Sequence, residues 1–255
     1  MKAILAAIVA SGALLASVAG AQPVKPTILL VHGAFADASS WNGVIGILEK
    51  DGYHVVAVAN PLRGVQHDAQ YVGDIVKSIA SPVVLVGHSY GGSVITEAAA
   101  PNVKALVYVA AFAPEAGESA ATLSSKFPGS TLGAALASPV VLSEGGKDLY
   151  IEPAKFHDQF AADVSAQAAE AMAAGQRPVT EAALNEAAVT SAWKTIPSWF
   201  IYGDADRNIP AQVLAFMAQR AHSRETQVIK GASHVVMVSN PKAVARIIER
   251  AATEK

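Results

Sequence analysis

The chain has 255 residues, of which 52% are apolar, enough to bury the core of one α/β domain. Its formal net charge is −2 and it carries no polybasic run, which argues against nucleic acid as a partner. It contains no cysteine, which excludes disulfides, a thiol nucleophile and thiolate metal ligands.

The first 21 residues have the pattern of a secretory signal peptide. Lys2 gives a positive start, residues 3–18 are apolar apart from a few Ser and Gly, and Ala19-Gly20-Ala21 has the small-x-small form of a cleavage site. We therefore expect a mature chain over 22–255, secreted or periplasmic, without stable membrane insertion. Loss of Lys2 takes its formal charge from −2 to −3. A retained membrane anchor or a buried first helix is the alternative.

The remainder alternates short apolar runs with helical stretches. Strands are predicted over residues 27–31, 53–59, 83–86, 103–110, 198–202 and 226–229. Helices are predicted over residues 40–50, 68–80, 89–100, 211–221 and 241–252. Strands that are apolar throughout, separated by helices, indicate an α/β fold with a mostly parallel sheet of about six strands and helices on both faces.

The segment from about residue 114 to residue 193 interrupts this alternation. It has Gly, Pro and Ser clusters, followed by Ala-rich helical stretches over 153–174 and 180–188. Because this is long for one connection, we interpret it as an inserted helical lid, with ordinary crossover helices as the alternative. We expect its aromatic residues, such as Phe156 and Phe160, to serve lid packing.

A nucleophile motif lies between a predicted strand and a predicted helix. Gly87-His88-Ser89-Tyr90-Gly91 has the form G-x-S-x-G, which places a serine on a sharp strand-to-helix turn. The glycines allow neighbouring backbone to approach, and the helix N-terminus adds a positive potential at the hydroxyl. Ser89 is therefore the predicted nucleophile, and a Gly-Ser loop without function is the alternative.

A serine needs a base, and that base needs an acid. His234 follows the last predicted strand, where the base belongs in the chain order Ser, Asp, His. Asp204 and Asp206 both follow the strand over 198–202. We favour Asp206, because its spacing to Pro210 is usual and because Arg207 could pair with Asp204.

The tetrahedral intermediate needs two backbone N–H groups as an oxyanion hole. We predict Tyr90, the residue after the nucleophile, and Ala34, in the loop after the first strand. We regard His32 as a scaffold residue of that loop. His67-Asp68 and His157-Asp158 lack a third ligand, so we expect solvated surface there and no metal or organic cofactor.

These motifs resemble the α/β-hydrolase superfamily, and most of all the small branch of plant methylesterases, hydroxynitrile lyases and related bacterial esterases. The resemblance covers the whole mature chain, most weakly in the lid, and is carried by Val31-His32-Gly33-Ala34, Trp41, Gly87–Gly92 and Ser233-His234. It implies an ester-cleaving fold with a lid, and a sheet without the N-terminal antiparallel hairpin of larger relatives. Tyr90 stands where plant esterases commonly carry Leu or Met.

Hydrolysis of a small carboxylic ester through an acyl-enzyme is the function that the resemblance implies. The lyases of this branch carry Thr after the first His and Lys after the catalytic His, whereas this chain has Gly33 and Val235. A perhydrolase or lyase activity on the same scaffold and a non-catalytic ligand-binding protein are the alternatives. The expected partner is a small-molecule ester.

Overall fold

The computed structural model describes residues 24–254, so the predicted signal peptide lies outside the described residues. The strands are β1 (Thr27–Val31), β2 (Val55–Val58), β3 (Val83–His88), β4 (Val103–Val109), β5 (Val140–Val141), β6 (Lys147–Leu149), β7 (Val179–Thr180), β8 (Ser198–Gly203) and β9 (Glu225–Ile229). The α-helices are α1 (Asn42–Lys50), α2 (Val65–Ser78), α3 (Tyr90–Glu97), α4 (Ala120–Ser124), α5 (Leu132–Ala135), α6 (Pro153–Phe160), α7 (Ala166–Ala174), α8 (Glu181–Asn185), α9 (Ala211–Arg220), α10 (Val236–Ser239) and α11 (Pro241–Thr253). Within residues 24–254, no helix is both long and apolar enough to span a membrane.

The main sheet has six strands in the order β2-β1-β3-β4-β8-β9, and every neighbouring pair is parallel. Strands β1 and β3 are buried at every residue, as their continuous apolar sequences predict. Helices α1 and α11 pack together on one face, and α2 and α3 on the other. The predicted six-stranded, mostly parallel sheet between two helical layers is confirmed.

Residues 110–197, which we call the cap, connect β4 to β8. They contain α4 to α8 and a small antiparallel sheet, β5-β6-β7, that the sequence did not predict. The prediction of one helical stretch over 153–174 is wrong: the structure has two helices there, because α6 ends at Phe160 and α7 begins at Ala166. The break has a local cause: the Ser165 side chain accepts the N–H of Ala168 and so caps α7.

A buried histidine ties the end of β1 to the segment that follows β2. The backbone N–H of Asn60 donates to His32 Nε2 at 3.1 Å, so the proton of the neutral ring is on Nδ1, which donates to the Gly33 carbonyl at 2.9 Å. Burial lowers the pKa of His32 to about 4. The ring is therefore neutral near neutral pH and acts as a scaffold for the Gly33 loop.

We predict that His32 makes stability fall in mild acid. The unfolded chain binds this proton near pH 6.5 and the folded chain only near pH 4, so lowering the pH from 7 to 5 favours unfolding. The expected contribution is about 2 kcal/mol of unfolding free energy. Denaturant titrations at both pH values check this: His32→Gln should flatten the dependence by about that amount, whereas His54→Gln, at an exposed position, should leave it unchanged. An unchanged slope in His32→Gln contradicts the prediction.

Candidate active site

Ser89 stands on a strained turn between β3 and α3. Its φ is 52°, in the left-handed region that non-glycine residues seldom occupy. The Ser89 N–H donates to the Val109 carbonyl at 3.3 Å, and the Ser89 carbonyl accepts the N–H groups of Gly92 and Phe112 at 2.9 and 3.1 Å. These bonds to both neighbouring segments hold the conformation that presents the hydroxyl.

The glycines of the motif are required by close backbone contacts. A Cβ on Gly91 would lie 2.5 Å from the Val31 carbonyl oxygen, and one on Gly92 would lie 2.2 Å from the Phe112 carbonyl oxygen. Both distances are far below van der Waals contact. Helix α3 can therefore pack against the ends of β1 and β4 only when these positions lack a side chain.

Asp206, and not Asp204, contacts the imidazole of His234. The distance from His234 Nδ1 to Asp206 Oδ2 is 2.6 Å, and both side chains are almost fully buried. The second oxygen, Asp206 Oδ1, accepts the N–H groups of Asn208 and Ile209 at 2.8 and 3.0 Å. The carboxylate is thus fixed in place, and it orients the ring so that Nε2 is free to act.

The expected pairing of Arg207 with Asp204 is wrong. Asp204 Oδ1 accepts the Gly231 N–H at 2.6 Å, and so joins the loops that follow β8 and β9. Arg207 Nη1 donates to the Asp158 carbonyl in the cap at 3.1 Å. Asp204 therefore holds two loops together through its bond to a backbone N–H, while Arg207 bonds to the cap instead.

Ser89 and His234 border the same cavity, which has a volume of about 220 Å³ and lies between the sheet and the cap. Within the described chain the Ser89 hydroxyl and the His234 ring make no hydrogen bond to each other. The other lining residues are Ala34, Phe35, Tyr90, Phe112, Ala120, Ala121, Ser124, Ser130, Leu132, Gly133, Leu136, Phe160, Leu184, Asn208 and Ile209. The surface around the hydroxyl is therefore mainly apolar.

Ala34 and Tyr90, the two residues predicted to supply the oxyanion N–H groups, both line this cavity. Among residues 24–254, neither backbone N–H donates to a protein acceptor. The bond from His32 Nδ1 to the Gly33 carbonyl fixes the orientation of the peptide that carries the Ala34 N–H. The two predicted oxyanion donors are thus free and lie on the same cavity as Ser89.

Our sequence analysis gave no role to His88, whose side chain packs against His234 and bonds to its backbone. Its fully buried ring lies 4.8 Å from the His234 ring, and His88 Nε2 donates to the His234 carbonyl at 3.2 Å. Burial and then the neighbouring His234 keep the pKa of His88 well below its usual range. His88 is consequently a neutral packing and hydrogen-bonding residue rather than a second base.

The expectation of solvated surface at Asp68 is wrong. This carboxylate, at the N-terminus of α2, is fully buried and accepts the Tyr90 hydroxyl at 2.9 Å and the Arg63 N–H at 3.2 Å. Burial and the adjacent carboxylate raise the pKa of the Tyr90 phenol, which stays protonated as the donor. The side chain of Tyr90, the second predicted oxyanion residue, is thereby anchored to α2. No sequence spacing indicated this pairing.

The cap, predicted as a lid, also contributes side chains to the site. Phe160, for which the sequence favours lid packing over a role in shaping the pocket, lines the cavity and lies 5.0 Å from the His234 ring. It also packs edge-on against Phe35 of the oxyanion loop, with ring centroids 6.2 Å apart. Its position at the end of α6 brings it into contact with both the loop of Phe35 and the loop of His234.

A larger depression of about 660 Å³ lies elsewhere on the surface, next to Trp193. Its charged side chains are paired: Arg220 bonds Glu118, and Lys194 bonds Glu115. Its lining includes the Thr195 hydroxyl and the His222 imidazole, but among the described residues no carboxylate bonds to that imidazole. We therefore locate the candidate active site at the smaller cavity.

Comparisons with known proteins agree with the fold. The α/β-hydrolase nvfD of Aspergillus novofumigatus is 28% identical, across 91% of this chain and 98% of its own length. A carbendazim-hydrolyzing esterase of Nocardioides sp. is 35% identical over 36% of this chain and 44% of its own length. Among solved structures, polyneuridine aldehyde esterase superposes with a TM-score of 0.78 at 20% identity, covering 89% of this chain and 99% of that one.

The comparison with family models settles the classification that the motifs suggested. The model of the α/β-hydrolase family matches residues 28–247, which extend from β1 into α11. The matched range includes the Ser89 turn, the Asp206 loop, the His234 loop and the whole cap. The chain belongs to the α/β-hydrolase family.

Proposed function

We propose that this α/β-hydrolase cleaves small, uncharged carboxylic esters through an acyl-enzyme on Ser89. The observation that carries the proposal is one cavity lined by a serine on a strained turn, by two residues whose backbone N–H groups have no acceptor within residues 24–254, and by an imidazole held by a buried carboxylate. The esterases among the proteins similar to this chain support the reaction class.

In the first half of the reaction, Ser89 Oγ attacks the ester carbonyl carbon and its proton passes to His234 Nε2. The negative charge on the carbonyl oxygen is stabilised by the N–H groups of Ala34 and Tyr90. Asp206 stabilises the imidazolium through Nδ1. The C–O bond then breaks, and the alcohol leaves with the proton from His234.

In the second half, a water molecule gives a proton to His234 and attacks the acyl carbon of the ester formed with Ser89. The same two N–H groups stabilise the second oxyanion. When this intermediate collapses, the proton returns to Ser89 Oγ and the carboxylic acid is released. The two transfers between Ser89 and His234 need these side chains in hydrogen-bond contact, a contact that often forms fully only with substrate bound.

The lining of the cavity indicates the class of substrate. Of the described residues that line it, none is Lys, Arg, Asp or Glu, and its polar side chains other than Ser89 and His234 are Ser124, Ser130, Tyr90 and Asn208. A charged substituent would lose its hydration without gaining an ionic partner, which is costly. An apolar acyl or alkoxy group fits such a wall.

The lyase alternative lacks support at both positions that distinguish it. Val235 is a buried apolar residue, so it offers no ammonium group to a departing cyanide. At position 33, a Cβ would lie 2.6 Å from Ser89 Cβ, so the loop as it stands has no room for a threonine.

We expect Ser89→Ala to lower the turnover of p-nitrophenyl butyrate by at least about 10⁴-fold, because the acyl-enzyme can no longer form. It should also abolish labelling by a fluorophosphonate, while the thermal unfolding midpoint stays nearly unchanged. Ser93→Ala is the matched control, since Ser93 is a buried serine on α3, the helix that follows Ser89, and lies outside the cavity lining. Retained labelling of Ser89→Ala would rule out this nucleophile.

We expect Asp206→Asn to lower kcat by about 10³- to 10⁴-fold, because an amide cannot both fix the imidazole and stabilise its charged form. Asp204→Asn, on the same loop, should change kcat less than about twofold, since its Oδ1 can still accept the Gly231 N–H. Steady-state kinetics with p-nitrophenyl butyrate compare the two variants. Equal losses in both would contradict the assignment of Asp206.

We expect kcat/KM for mono-4-nitrophenyl succinate to be at least about 100-fold below that for p-nitrophenyl butyrate, because its carboxylate enters an apolar cavity unpaired. The methyl 4-nitrophenyl diester of succinic acid is the matched control: it adds further bulk but no charge. Its kcat/KM should exceed that of the acid by a similar factor. Equal values for acid and diester would contradict the substrate class.

A further inference from the structure

Gln159, the penultimate residue of α6, lies in the cap but bonds to the loop of Asp206. Its Nε2 donates to the Arg207 carbonyl and to Asn208 Oδ1, each at 3.0 Å. Its Oε1 accepts the Thr131 hydroxyl at 2.8 Å. The side chain is buried, and both of its N–H donors are used on two consecutive residues of one loop.

That loop determines where the Asp206 carboxylate points. Asp206 Oδ1 is held by the N–H groups of Asn208 and Ile209, and Oδ2 is thereby directed to His234 Nδ1. A shift of the 207–209 backbone would move both donors. Gln159 bonds to the Arg207 carbonyl, which belongs to the same peptide group as the Asn208 N–H, and to Asn208 Oδ1.

The same end of α6 contacts the loop of the base. Phe160 packs against the His234 ring, and Asp163, three residues on, accepts the Ser233 hydroxyl. The acid and base loops come from two different strand ends, β8 and β9. The C-terminal end of α6 therefore bridges the two loops whose separation sets the Asp206–His234 bond.

From these contacts we propose that Gln159 is a positioning residue for catalysis: it acts through Asp206 by fixing the backbone that aims the carboxylate at His234. The inference rests on the role proposed above for Asp206. It assigns to the cap a part in proton transfer in addition to enclosing the substrate. Gln159 does not line the cavity, so it does not act by touching the substrate.

A double-mutant cycle between Gln159 and Asp206 tests this coupling. With p-nitrophenyl butyrate, Gln159→Leu should lower kcat by about 10- to 100-fold and leave KM within about twofold. In the Asp206→Asn background, the same change should lower kcat less than about twofold, because the interaction through which Gln159 acts is already lost. If Gln159 only fastened the cap, Gln159→Leu would lower kcat by the same factor in both backgrounds, and that result would overturn the proposal.

Gln176→Leu is the matched control, because Gln176 makes the same kinds of bond but only within the cap, to Ile151 and Ala173. Its kcat should stay within about twofold of the wild-type value. If Gln159→Leu does not fold, as judged by circular dichroism, Gln159→Met takes its place, since it keeps the length of the side chain without its donors. Full activity of Asp206→Asn would instead refute the role proposed for Asp206, and failure of the wild-type protein to hydrolyse p-nitrophenyl butyrate would refute the proposed function, so these failures are distinguishable.

Discussion

The backbone conformation of Ser89 is the constraint on which the site depends. Positive φ at a serine costs about 1–3 kcal/mol, and the surrounding structure must impose it. Here it is imposed by hydrogen bonds to Val109 and Phe112 and by the close approach of α3 to the ends of β1 and β4. That approach also fixes how far the oxyanion loop lies from the serine. The parallel sheet therefore determines the position of the nucleophile.

The remaining parts of the site come from loops that the sheet alone does not hold. The Phe35 N–H of the oxyanion loop donates to the Arg177 carbonyl in the cap at 2.9 Å. Gln159 bonds to the loop that carries Asp206, and Asp163 bonds to the loop that carries His234. The cap thus touches all three loops around the serine. The same segment therefore lines the cavity and bonds to the loops that carry Ala34, Asp206 and His234.

The sheet could be predicted because β1, β3 and β4 are almost continuously apolar, and burial on both faces leaves that signature. Ser89, Asp206 and His234 could be selected as candidate site residues because each follows a strand of the parallel sheet, and the carboxyl ends of these strands lie at the same edge of that sheet. The β5-β6-β7 sheet could not be predicted, since strands of two or three residues show no periodicity. The partners of Gln159 and Asp68 are mainly backbone groups and distant side chains, for which single-sequence patterns carry no signal.

The insertion of the cap between β4 and β8, two strands that pair directly, has a consequence for chain entropy. Closing this connection costs configurational freedom that grows only logarithmically with its length, about 0.6 kcal/mol for each doubling. Adding or removing residues in the cap should therefore change the free energy of unfolding little, as long as the bonds made by Arg177, Gln159 and Asp163 are kept. The shape of the binding cavity can diverge in such an architecture while the β4–β8 register stays as it is.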